Sequence, residues 1–242
     1  MRLRIKSVKS LARVTKALET VSASKVRKAV AANAASQPYS EKAWKVLVHL
    51  ARQPGHASLH PLLCERQTAN RILVIMISGD RGLAGSYNVN VLKHSLEFFD
   101  RFTAPVDYIS IGKKGRDLLL RRRIKVIAEF SDLTNPVAFM EISPVSRIVV
   151  EDFLEGKYDQ VYISYTKFIS MTKQEPIIRE ILPLDVEAKQ EQKEGHTTQK
   201  AVFSYEPDQK DLLDEIIPRF TAMQIYQAVL ASQASEHAAR ML

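Results

Sequence analysis

Three glycines stand three apart directly after a short apolar run. Gly79, Gly82 and Gly85 follow residues 71–78 (RILVIMIS), with Arg81 among them. Backbone N–H groups in such a turn can face a phosphate. The spacing G-x-x-G-x-x-G is neither the dinucleotide fingerprint nor a P-loop, since no Gly-Lys-Ser/Thr follows. A strand-to-helix turn that needs positive φ is the plainer reading. Gly112-Lys-Lys-Gly115 repeats the pattern more weakly. His56, His60 and Cys64 are four apart and would share one helix face with zinc-type donors. Gly55 and Pro61 interrupt that run, and only three donors are present. No metal and no cofactor are therefore expected. No nucleophile-elbow sequence occurs, and His237, beside Glu236 on a helical pattern, is expected to be packed. No catalytic residue is expected.

Charge is more informative than any of these. The net charge is +8. Residues 1–30 carry Arg2, Arg4, Lys6, Lys9, Arg13, Lys16, Lys25, Arg27 and Lys28 against the single acid Glu19, so the rest of the chain nets to zero. A helix holding all of a protein's excess charge should meet something acidic: a protein socket, nucleic acid or a lipid surface. No aromatic residue falls within 1–38 and no nucleic-acid module is recognisable, so nucleic acid is not the expected partner. Arg121, Arg122 and Arg123 form a second, smaller basic group that suits a helix C-terminus. Cys64 is the only cysteine, which excludes an intramolecular disulfide and fits a reducing compartment. Arg2, Arg4 and Lys6 follow Met1 without an apolar region behind them, so no secretory signal is expected. No apolar run is long enough to span a bilayer.

The elements that carry these residues follow from periodicity. Residues 1–54 contain no proline before Pro38 and are rich in alanine, which predicts one long helix, bent or interrupted near Pro38. Leu11, Val14, Leu18 and Val21 step by 3, 4 and 3, the spacing of a coiled-coil seam. Residues 55–70 read as a connector. Strands are predicted at 71–78, 106–111, 125–130, 160–168 and 177–184, with helices at 88–102, 114–122 and 136–155. This alternation makes 71–203 a doubly wound, Rossmann-like α/β domain. The polar stretch 185–200 is expected to be a mobile surface loop. Residues 204–242 give a last helix with Ala234, Ala238 and Met241 on its seam and a kink at Pro218. The fold class is α/β: two long terminal helices forming an antiparallel coiled coil, plus the α/β domain.

The residues then resemble a known family. Arg4-Ile-Lys-Ser-Val-Lys9, Val14-Thr-Lys-Ala-Leu18 and Ser22-Ala-Ser-Lys-Val-Arg-Lys28 look like the N-terminal helix of the gamma subunit of F-type ATP synthases. Ser78-Gly-Asp-Arg-Gly-Leu-Ala-Gly-Ser-Tyr-Asn88 resembles that family's turn after its first strand. Ser204-Tyr-Glu-Pro-Asp208 resembles the start of its last helix, and Ser235-Glu-His-Ala-Ala-Arg-Met241 its C-terminal signature. Gly79 and Ser86 stand where members often carry serine and glycine, a change of turn detail. The family's chain continues beyond the last motif, so the C-terminal helix is expected to be shorter than the family's.

The resemblance implies a rotor shaft and not an enzyme. Ion flow turns a membrane ring of c subunits, and the shaft drives the alpha/beta hexamer through its states as ATP is made or hydrolysed on beta. The implied partners are alpha and beta, contacted by Lys6, Lys9, Lys16, Lys25, Arg27 and Lys28, and epsilon with the c-ring at a foot holding Tyr205 and Glu206. One copy per complex is implied, peripheral to the cytoplasmic face of a bacterial plasma membrane or, alternatively, to an organellar inner membrane. Leu11, Val14, Leu18 and Val21 are expected to face Ala234, Ala238 and Met241. The regulatory cysteine pair of some plant-type members is missing, so thiol control of that kind is not expected. A nucleotide-dependent α/β enzyme and a nucleic-acid-binding coiled-coil adaptor remain as alternatives.

Overall fold

The computed structural model describes residues 2–51, 60–63, 70–184 and 209–241. The first helix, α1, runs unbroken over Arg2–Ala51, about 75 Å at ~1.5 Å per residue. Pro38 lies inside it and does not end it. The last helix, α5, spans Gln209–Met241 and likewise continues through Pro218. The expected loop at 185–200, the foot residues Tyr205 and Glu206, and His56 and Cys64 lie outside the described residues.

Between the two helices stands a five-stranded sheet: β1 (Ile72–Ile77), β2 (Val106–Ile111), β3 (Val126–Phe130), β4 (Gln160–Phe168) and β5 (Gln174–Leu182). Their order is β3-β2-β1-β4-β5. The first four are parallel, joined through α2 (Tyr87–Phe99), α3 (Lys113–Arg121) and α4 (Phe139–Leu154). β5 is antiparallel to β4. Only residues 169–173 separate the two strands, too few for the crossover that a parallel pair needs. The hairpin register also starts β5 earlier than its apolar residues suggest, at Gln174 opposite Phe168. α4 begins at Phe139 because Glu141 reaches back to accept the Ala138 N–H at 2.8 Å and the Thr134 N–H at 3.0 Å.

β1 is buried at every position, which explains its continuous apolar run. Its side chains alternate between two cores. Ile72, Val74 and Met76 pack with Leu92, Phe99, Tyr108 and Leu119 beneath α2 and α3. Leu73, Ile75 and Ile77 join the larger core formed by α4, α5 and the sheet. α5 therefore lies against β4, α4 and α1 at once, and most of its surface is buried.

α1 and α5 run side by side in opposite directions. Gln227 donates to Ser36 Oγ at 3.1 Å, and the Trp44 and Phe220 rings sit 5.6 Å apart. In that register Val26 and Ala29, both buried, come level with the stretch around Ala234 and His237. This corrects the expected seam. Leu11, Val14, Leu18 and Val21 do not face Ala234, Ala238 and Met241. They remain 63%, 53%, 36% and 53% exposed, while Ser22, Val26 and Ala29 fill the groove instead. Continued from Val21, the 3-4-3 spacing would fall on Lys25 and Lys28, whereas the positions that pack are the adjacent Ser22, Val26 and Ala29. α5 therefore meets a different face of α1 from the one the spacing marks.

Candidate functional site

The strand order places a crevice at the C-terminal ends of the parallel strands, where proteins of this topology hold nucleotides. Here α5 fills it. Glu236 lies directly over Gly79: a Cβ built there would come within 2.7 Å of the Glu236 carboxylate. The Gly79 N–H is already bonded to Asn88 Oδ1 at 2.8 Å. Asp80 accepts the N–H groups of Lys113, at the start of α3, and of Asp132, both at 3.0 Å. The donors that a phosphate would use are taken by the chain's own oxygens, and two carboxylates face the place a phosphate would occupy. A cleft of about 40 Å³ remains among Asp80, Tyr87, Gly112, Ser232 and Glu236, room for little more than water. The 112–115 glycines serve packing: the Gly115 N–H donates to Ser78 Oγ at 2.8 Å, which draws α3 onto the end of β1.

Side chains of α5 clasp this end of the domain. Tyr87 Oη bonds the carbonyl of Ser232 at 3.1 Å and its hydroxyl at 2.6 Å. Gln233 accepts the Val137 N–H at 3.1 Å and donates to the Thr134 carbonyl at 2.8 Å. Ser235 donates to the Thr166 carbonyl at 3.1 Å. Arg240 pairs with Glu236 and donates to His237 Nδ1 at 2.8 Å. A guanidinium can only donate, so the neutral ring carries its proton on Nε2. That atom is 2.7 Å from the Asn135 amide. With the amide oxygen turned inward the proton is accepted, and Asn135 Oδ1, otherwise buried without a partner, is satisfied.

Electrostatics follow from this burial. Desolvation, aided by the cations Arg240, Lys25 and Arg81, lowers the His237 pKa to about 4. Desolvation raises that of Glu236 in spite of Arg240, with Asp80 adding to the rise. Burial, with Glu236 nearby, pushes the Tyr87 hydroxyl far above its ordinary range. These shifted groups are tied into a structural clasp. Sequence reasoning placed Glu236 and His237 on a helix but missed their docking on the glycine turn. No local signal in the sequence pairs Gly79 with Glu236, which the fold alone brings together.

Of the predicted basic residues, Lys6, Lys9, Lys16, Arg27 and Lys28 are exposed on α1. Lys25 differs: it is half-buried, and its charge acts on Glu236 and His237. Interleaved with the cations is an apolar stripe that no described residue covers, from Leu3 and Ile5 through Val8 to Val21. Of the metal-type donors only His60 is described. It is buried, accepts the Leu62 N–H at 3.1 Å and meets Asp214 at 3.0 Å. No described helix is long and apolar enough to cross a membrane.

A filled nucleotide crevice, a helix pair built onto it, and an uncovered basic and apolar stretch of helix are the features of a mechanical part rather than of a nucleotide site. The family described as ATP synthase matches residues 1–242. The ATP synthase gamma chain of Dehalococcoides mccartyi strain CBDB1 is 37% identical over 241 residues, covering 99% of this chain and 82% of that one. The gamma chain of Chloroflexus aurantiacus strain J-10-fl is 38% identical over 243 residues, with the same shares. Among solved structures, the central stalk and c-ring of the Tetrahymena thermophila mitochondrial ATP synthase gives a TM-score of 0.68 at 22% identity, covering 94% of this chain and 96% of that one. The rotor of the Euglena gracilis mitochondrial enzyme gives 0.63 at 18%, covering 99% and 86%. These last two are alike in fold. The chain belongs to the ATP synthase gamma chain family, and is thus the central shaft of the rotary complex and not its catalyst.

Proposed function

We propose that the first half of α1 stands in the axial socket of an alpha/beta hexamer, with Lys6, Lys9, Lys16, Arg27 and Lys28 facing acidic surfaces of alpha and beta. The observation that carries this is the uncovered apolar stripe running between those cations. Paired as an antiparallel coiled coil, α1 (within 1–54) and α5 (within 204–242) form a stiff asymmetric rod. Turned inside three like sites, it meets each with a different face, so each state is favoured by a difference in contact energy. The α/β domain, 71–203, is the mount at the foot. Tyr205 and Glu206 lie in the segment assigned to epsilon and the c-ring. One copy serves each complex, peripheral to the cytoplasmic face of a bacterial plasma membrane, a setting supported by the bacterial relatives.

Mixing the purified chain with alpha and beta subunits tests this reading. A single complex holding one copy of the chain, with ATPase activity that alpha and beta alone lack, is expected. Failure to form such a complex would refute it.

A further inference from the structure

The end of the α/β domain opposite the clasp carries a second charged surface. α5 runs in the same direction as β4. Its Asp214 meets His60, Leu62 accepts the Leu184 N–H, and Leu182 pairs with Val161 at the start of β4. Its Ser235 bonds Thr166 near the end of that strand. The bare stripe of α1 thus lies toward the strand ends, and the strand starts point the other way. On the reading above, on which this inference rests, the strand starts face the c-ring and, at the outer corner of the domain, the membrane around it.

Cations along that edge fall into two groups. Arg71 and Lys125 converge on the buried Asp107, at 3.4 and 2.8 Å, and Lys157 is held by Asp152 and Glu155. Arg121, Arg122 and Arg123 are exposed and make no ion pair among the described residues. They close α3: Ile124 N–H bonds the Leu119 carbonyl at 3.1 Å and Arg123 N–H the Leu120 carbonyl at 2.9 Å. This is a C-terminal motif whose left-handed position is usually glycine. Arg123 occupies it at φ 60°. One basic residue satisfies the helix dipole. A third, at a position where a side chain is disfavoured, adds charge at the expense of stability.

Beside the arginines, Leu120 is 53% exposed. Arg101 stacks 4.9 Å over Phe98, which packs edge-on against Phe99. The nearest acids in sequence are Asp100, exposed beside Arg101, and Asp117, which pairs with Arg116 and feels the charge of Arg121. Cations set among an exposed leucine and half-covered aromatic rings match a headgroup layer, where charge meets phosphate and apolar groups dip below it. We propose that this corner, comprising Arg101, Leu120, Arg121, Arg122 and Arg123, contacts an anionic lipid surface. A fluid layer of mobile anions can be tracked by a turning domain without an angular barrier.

The test is flotation of the complex assembled with alpha and beta, which shields α1, on phosphatidylglycerol-containing and on pure phosphatidylcholine vesicles. Expected is binding to the anionic vesicles alone, weakened by salt. R121Q/R122Q/R123G should lose about a hundredfold in binding. Its melting temperature should rise, because glycine suits the left-handed position, so a folding defect is not the cause. Equal flotation of variant and wild type, flotation on neutral vesicles, or no flotation of an intact complex would overturn the proposal. Absence of the complex would instead overturn the shaft reading.

Discussion

Replacing Leu11, Val14, Leu18 and Val21 together by alanine separates the two jobs of α1. The four changes delete about ten side-chain carbons, worth ~0.8 kcal/mol each when fully buried. Roughly half of that surface is in water in this chain, since the residues are between 36% and 63% exposed. About 4 kcal/mol is therefore available only on contact with a partner, near a thousandfold in affinity. Alanine is the best helix former, so α1 itself should not suffer. Urea unfolding of the isolated chain should give an unfolding free energy within about 1 kcal/mol of wild type. Titration of alpha and beta with a labelled chain should show assembly weakened by up to that thousandfold. Two results would refute the reasoning: a large loss of stability in the isolated chain, which would mean that the stripe is covered internally, or assembly of unchanged affinity.

Other perturbations probe the remaining contacts. Val26→Ala, in the filled groove between α1 and α5, should cost about 2 kcal/mol in the same urea experiment, whereas Val14→Ala alone should cost less than about 0.5 kcal/mol. Gly112 has φ 102°, and a Cβ there would lie 2.7 Å from Ser78 Oγ and nearer still to its carbonyl oxygen. Gly112→Ala should thus destabilise by about 3–5 kcal/mol. Gly82, with open space around it, should instead be stabilised slightly by alanine, by about 0.5 kcal/mol. His237 is neutral when folded because its pKa is depressed to about 4. Its contribution is fully present above about pH 6.5 and is lost as pH falls toward 4, about 2 kcal/mol after discounting for residual solvation. Glu236, shifted upward, works in the opposite sense. The measurement is therefore the stability difference between wild type and His237→Gln across that window, and a flat difference would contradict the assignment.

The α/β domain was legible because its signals are local. β1, β2 and β4 show as apolar runs, and the 79–85 glycines punctuate the chain where β1 gives way to α2. What the sequence hid were relations between distant segments. The apolar spacing of residues 11–21 marks one face of α1, but α5 packs on the neighbouring face of Ser22, Val26 and Ala29. The choice falls to pairs such as Ser36 with Gln227 and Trp44 with Phe220. Pro38, Pro144 and Pro218 look like breaks in isolation. Their helices persist through them, since packing along the whole element outweighs one lost backbone bond. Gly79 read as a conformational glycine, whereas its lack of a side chain makes room for Glu236, a requirement set 157 residues away.

The same glycine shows how a nucleotide-type sheet becomes a mechanical part. In an open α/β sheet the crevice at the strand ends is kept empty for a ligand. Here the chain inserts its own helix, with Glu236 over Gly79, and backbone N–H groups that would bind a phosphate donate to Asn88 and Asp80 instead. The attachment is made at two levels. Asp214 meets His60 near the strand starts, and Ser232, Gln233, Ser235 and His237 grip the strand ends. From residue 214 to 237 the helix rises about 35 Å. Two grips that far apart oppose bending as a couple, where one would act as a hinge. A force on the domain thus reaches the rod as torque, because little of it is lost in rotation at the joint.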